Sequence, residues 1–87
     1  MYLHLGNDAA VRKEELIGVF DLDNSTQSHL TRAYLASAEK MGQVFSASGE
    51  ELPKSFVVCA GPGGQTVWLS QLNSSTLLRR SEQASDW

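Results

Sequence analysis

Residues 17–26 read "IGVFDLDNST", an apolar run of strand formers, two aspartates one residue apart, then hydroxyl side chains. An aspartate at the end of a buried strand can attack phosphorus, and a second carboxylate can carry protons. Asp21 and Asp23 have the types and spacing for that chemistry. The reaction needs more: a lysine to steady the pentacoordinate phosphorus and downstream carboxylates to hold magnesium. After Asp23 the acids are Glu39, Glu50, Glu51, Glu82 and Asp86, and none forms a carboxylate pair following a strand. A chain of 87 residues is also too short for a doubly wound sheet with its crossovers. The same residues suit a strand running into a capped helix. Asn24 and Ser25 are good N-caps, and the aspartates place negative charge near the helix N-terminus. Capping is the reading taken here.

Other groupings are weaker as chemistry. "GPGGQT" (61–66) lacks the lysine of a P-loop and the last glycine of a dinucleotide fingerprint, and strand-like runs flank it, so a hairpin tip is expected. His4 and His29 are far apart, and a single cysteine gives no zinc spacing, so no metal and no cofactor is expected. Serines are abundant, yet nothing marks one as an activated nucleophile, and no enzyme is expected. "NSSTLLRR" (73–80) offers hydroxyls and free N–H groups at a helix start, with Arg79 and Arg80 one turn on. Such a start can take a phosphate, or the hydroxyls can simply cap the helix while the arginines stay solvated. Cys59 lies in the apolar run "SFVVCA" and reads as a buried free thiol, which fits a reducing compartment.

The elements that would position these groups are short. "MYLHL" alternates as a strand, Gly6-Asn7-Asp8 marks a turn, "AAVR" returns, and "KEE" makes a polar corner before "LIGVFDL". These three strands are expected to form a small meander. Residues 25–42 change to helical period, with Leu30, Ala33, Tyr34, Ala38 and Met41 inward, Gln27, Arg32 and Glu39 outward, and Gly42 as the stop. "QVFSA" is a strand and "SGEELP" a loop, and "KSFVVCA" and "TVWLSQL" form a hairpin. A short helix over "SSTLLRR" is capped by Asn73 or Ser74, with Leu77 and Leu78 toward the core. The prediction is an α+β fold of order βββ-α-βββ-α, with a mostly antiparallel sheet and the long helix on one face. Residues 1–80 are expected to be one domain and 81–87 a tail, with Trp87 set to dock on a neighbour. The second sheet face, rich in Val, Phe and Trp, is expected to invite subunit packing.

Ten acidic residues stand against seven basic ones, a net charge of −3, which does not by itself mark a nucleic-acid binder. The basic residues are paired at Arg12–Lys13 and Arg79–Arg80, so a folded surface can segregate them. The N-terminus has no basic region followed by an apolar one, so no signal peptide is expected. The longest uncharged run, Ser55–Leu78, is broken by "GPGG" and "NSST", so no membrane span is expected.

Three stretches in order, "YLHLG", "PKSFVV" and "SSTLLRR", resemble the extracellular matrix regulatory protein family, RemA and RemB, and most closely the RemB branch. The resemblance runs over nearly all of residues 1–80. It implies a bacterial, cytoplasmic, non-enzymatic DNA-binding regulator of matrix and biofilm genes, assembled into a closed ring, with no small-molecule substrate. RemA-type members carry a Gly-Arg-Arg loop before the "SFVV" strand, to which DNA contact is attributed. The matching loop here is Gly49-Glu50-Glu51-Leu52-Pro53-Lys54. Two carboxylates repel phosphate where two guanidiniums would grip it. The phosphate contacts implied for this chain are therefore Lys54, Arg12, Lys13, Arg32, Arg79 and Arg80. A ring that has lost DNA contact and binds a protein partner is the alternative.

Overall fold

The computed structural model describes residues 1–22 and 29–82. The expected caps Asn24 and Ser25, the second aspartate Asp23, and Trp87 lie outside the described residues. The element order matches the expectation. Strands β1 (Tyr2–Gly6), β2 (Ala9–Arg12) and β3 (Leu16–Asp21) precede helix α1 (His29–Lys40). Strands β4 (Val44–Ser46), β5 (Ser55–Gly61) and β6 (Gly64–Ser70) precede helix α2 (Ser74–Ser81). The polar corner Lys13–Glu15 is one 3-10 turn.

Local turn chemistry explains the joints. Asn7 and Asp8 take φ of 49° and 64°, the left-handed pair that a tight hairpin between right-twisted strands requires. At the end of α1, Gly42 takes φ 72°, the Gly42 amide bonds the Glu39 carbonyl, and the Gln43 amide bonds the Ala38 carbonyl. That double closure is a Schellman stop, and it needs a residue tolerant of positive φ. Asn73 caps α2, its side chain accepting from the Thr76 amide at 2.8 Å.

The sheet pairing corrects one expectation. The first three strands are not a meander. β1 and β2 form their own two-stranded antiparallel sheet, while β3 joins a four-stranded sheet in the order β3-β5-β6-β4. The 3-10 turn after β2 carries the chain over to the second sheet, where β3 finds the long apolar strand β5 as its partner. β3 and β6 each pair antiparallel with β5, and β4 adds parallel to β6. The sheets are thus mostly antiparallel, and the α+β class holds.

The four-stranded sheet is apolar on both sides, and the chain divides its cover. On one side, Val57 and Cys59 pack with Leu3, Leu5 and Val11 of the hairpin, Ala47, and Leu77 of α2. This is the face expected to await another subunit, and the hairpin and α2 fill it instead. Two fully buried serines fasten that layer. Ser70 Oγ donates to the Leu5 carbonyl at 2.6 Å and accepts from the Leu72 amide at 3.1 Å, and Ser55 Oγ donates to the Leu72 carbonyl at 2.7 Å. On the other side Phe56, Val58 and Val67 pack with Ala38, with Leu35, Leu22, Val44 and Leu69 partly buried around them. Here α1 presents Leu35 and Ala38, not the whole expected stripe: Leu30 is 74% exposed and Met41 68%. On α2, Leu77 is inward as expected and Leu78 is exposed, because eight residues give the helix one narrow buried side.

Candidate nucleic-acid interface

Phosphate contact requires cations that protrude and are not already neutralised. The six cations singled out from the sequence divide on that test. Arg12, at the end of β2, places Nε 3.3 Å from Glu14 Oε2 and Nη1 3.9 Å from Glu15 Oε2. The 3-10 turn folds those two glutamates back against it. Glu14 also meets the N-terminal amine at 3.2 Å, and that hydrogen bond holds its carboxyl below the usual range, with Arg12 adding to the effect. Lys13 is half-buried in the same turn. Arg32 is exposed on α1, on the opposite side of the sheet from α2.

Lys54 and the two arginines of α2 differ. Among the described residues, none of Lys54, Arg79 and Arg80 forms an ion pair. Lys54 is exposed, while its backbone is clamped: its amide donates to the Ser70 carbonyl at 2.8 Å and its carbonyl accepts from the Leu22 amide at 3.0 Å. Arg79 and Arg80 fall in the last turn of α2, where the helix dipole favours cations. Arg79 is exposed, while Arg80 is half-buried, like Lys13, and lines a pocket of about 470 Å³ with His4, Asn7 and Asp8. The structure therefore brings Arg12 and Lys13 together on the hairpin side, and Arg79 and Arg80 together on α2, but gathers no single patch from all six.

The loop before β5 carries the opposite charge. Its first turn closes through the Glu51 amide on the Ser48 carbonyl at 3.1 Å, with Gly49 at φ 61° packed against the Asn7 side chain. Asn7 Nδ2 in turn donates to the Ala47 carbonyl at 2.9 Å and to Gln71 Oε1 at 3.0 Å. This framing leaves Glu50, Glu51 and Leu52 outside, Leu52 at 86% exposure. Asn7 has a positioning role that sequence reading missed; its place in a turn was the visible signal, but its reach across the fold was not.

Asp21 lies where β3 ends beside the start of α2. It closes β3, paired with Ser55, and accepts a long 3.5 Å hydrogen bond from Ser74 Oγ at the start of α2. The "GPGG" segment is the β5–β6 hairpin, with Gly61 opposite Gly64. Cys59 is a buried free thiol, and burial first, then the nearby Glu15 carboxylate, push it above the usual thiol range. Among the described residues no helix is long and apolar enough to cross a membrane.

No family model matches the chain. A curated relative does: it is 35% identical to extracellular matrix regulatory protein B of Bacillus subtilis (strain 168) over 82 residues, covering 94% of this chain and 91% of that protein. The chain belongs to the extracellular matrix regulatory protein B family. As a member of that family it is similar to a protein named for regulation rather than for catalysis. This family member presents Glu50 and Glu51 in the loop before β5, close in sequence to Lys54, and Arg79 and Arg80 on α2, these three cations having no ion pair among the described residues.

Proposed function

We propose that this chain is a cytoplasmic, non-enzymatic regulator of matrix genes that works as a cyclic homo-oligomer and contacts duplex DNA through Lys54, Arg79 and Arg80. The observation that carries the DNA contact is that these three cations have no carboxylate partner among the described residues, whereas Arg12 is held by Glu14 and Glu15. The relative's name supports regulation as the role. Few cations per protomer still suffice in a ring, because repeated weak contacts on one duplex act together through effective concentration.

The test is an electrophoretic shift with duplex DNA at two salt concentrations. Binding is expected to weaken as salt rises, since phosphate contacts release counterions. Arg79→Ala/Arg80→Ala is expected to weaken binding to all duplexes alike and to flatten the log–log salt slope by about 2 per engaged protomer. A duplex left unshifted at low salt by an intact oligomer overturns the DNA contact. That result favours a second reading, an assembly that regulates by binding a protein. The exposed Glu50-Glu51-Leu52 tip supports this alternative, because it pairs an acidic edge with an apolar side chain and repels phosphate.

A further inference from the structure

The outer face of the first hairpin carries a pocket. Along β1, Leu3 and Leu5 are buried in the core, so His4 and Gly6 take the opposite face. His4 pairs with Ala10 and Gly6 with Ala9, which leaves Leu5 as the extra residue of a bulge. Gly6, Ala9 and Ala10 are small, and beside them opens a space of about 470 Å³. Asp8 of the turn and Arg80 of α2 line the same space.

Two opposite charges share this pocket and do not meet. Among the described residues, Arg80 and Asp8 form no ion pair with each other or with any other group. The fold holds both sides in place. Asp8 sits at φ 64° in the turn, and its neighbour Asn7 ties that turn to the Ala47 carbonyl and to Gln71. Ser70 Oγ donates to the Leu5 carbonyl at 2.6 Å and fixes the bulge. Arg80 is half-buried and stands on a helix anchored by the fully buried Leu77. A carboxylate and a guanidinium that face one cavity but are kept apart suit an occupant that brings a partner to each.

We propose that this pocket binds a small dipolar molecule, with an oxyanion at one end for Arg80 and an ammonium at the other for Asp8. A guanidinium fork takes a phosphate or a carboxylate through two parallel N–H donors, and an ammonium gives Asp8 a charged donor. A plain anion fits less well, because it is repelled by Asp8 while it is drawn to Arg80. The space is of the size that small-molecule sites take. Binding here also bears on DNA. Arg80 is one of the three cations assigned above to the duplex, so a bound oxyanion withdraws it from the phosphates. Occupancy therefore weakens the duplex complex; this consequence, unlike the site itself, rests on the DNA contact proposed above.

The experiment is titration calorimetry on the full chain with phosphoethanolamine, β-alanine, inorganic phosphate and ethanolamine, with circular dichroism to confirm that variants fold. At least one of the two dipolar probes is expected to bind about ten-fold tighter than either inorganic phosphate or ethanolamine, and the tighter of the two tells phosphate from carboxylate. Arg80→Gln is expected to lose that binding. Asp8→Asn keeps a residue that tolerates φ 64° and is expected to bring the dipolar probe down to the level of inorganic phosphate. Dipolar probes that bind no tighter than inorganic phosphate and ethanolamine overturn the site, and so do folded Arg80→Gln and Asp8→Asn that bind as the wild type does. In the duplex shift, the tighter probe is expected to weaken wild-type binding and to leave Arg80→Gln binding unchanged. A probe that binds without weakening the duplex complex overturns the coupling and leaves the site standing. A duplex unshifted in the absence of any probe overturns the DNA contact alone.

Discussion

Single side chains decide what this molecule can do. Cys59 is the clearest case, because its chemistry is shut off by position. It is 2% exposed, and burial raises its proton affinity above that of the unfolded chain. The folded state then holds the thiol proton more tightly than the unfolded state. Its contribution to stability is complete below the ordinary thiol range and is lost as pH rises through the folded value. Urea midpoints at neutral pH and above about pH 9 are expected to fall further for wild type than for Cys59→Ala, and a thiol reagent should label Cys59 only in denaturant. A Cys59 labelled rapidly in the native protein would contradict this placement. Asn73 is the matching case for a cap. Its side chain serves the Thr76 amide, so Asn73→Ala is expected to lower stability by about 1 kcal/mol in urea denaturation, with the effect confined to helix signal and midpoint.

At the level of elements, what was legible in the sequence is what depends on neighbours in the chain. Asn7-Asp8, Gly42 and Asn73 each announced a turn, stop or cap, and each sits where its backbone demands. Gly42→Ala must hold a methyl at φ 72°, in open space, so only backbone strain acts; the expected cost is about 1–2 kcal/mol in urea denaturation. A Gly42→Ala chain as stable as wild type would show that the helix end relaxes. The pairing of β3 with β5 and the parallel step from β6 to β4 were not legible, because nothing local distinguishes one apolar strand partner from another. The choice of face on α1 was hidden for a related reason. The helix carries two apolar stripes, and the sheet beneath it takes Leu35 and Ala38 while leaving Leu30 and Met41 out. Among the candidate phosphate contacts, residue type was readable and neutralisation was not: Glu14 and Glu15 could be seen beside Arg12, but only the 3-10 turn aims them at it.

For the whole molecule, the described residues enclose two small cores back to back on one sheet, and among them apolar side chains of β3 and α1 such as Ile17 and Leu30 stay exposed. Chains of this size bury only about 60% or a little more of their unfolded surface, so an uncovered apolar face weighs heavily in their stability. If a second copy covers it, folding and association are linked, because only the folded chain offers the face. Mass action then raises apparent stability with protein concentration. Over roughly a hundred-fold range of chain concentration, the melting temperature of the wild type is expected to climb by several degrees. A wild-type melting temperature independent of concentration would mean that the face contributes nothing to holding the chain folded.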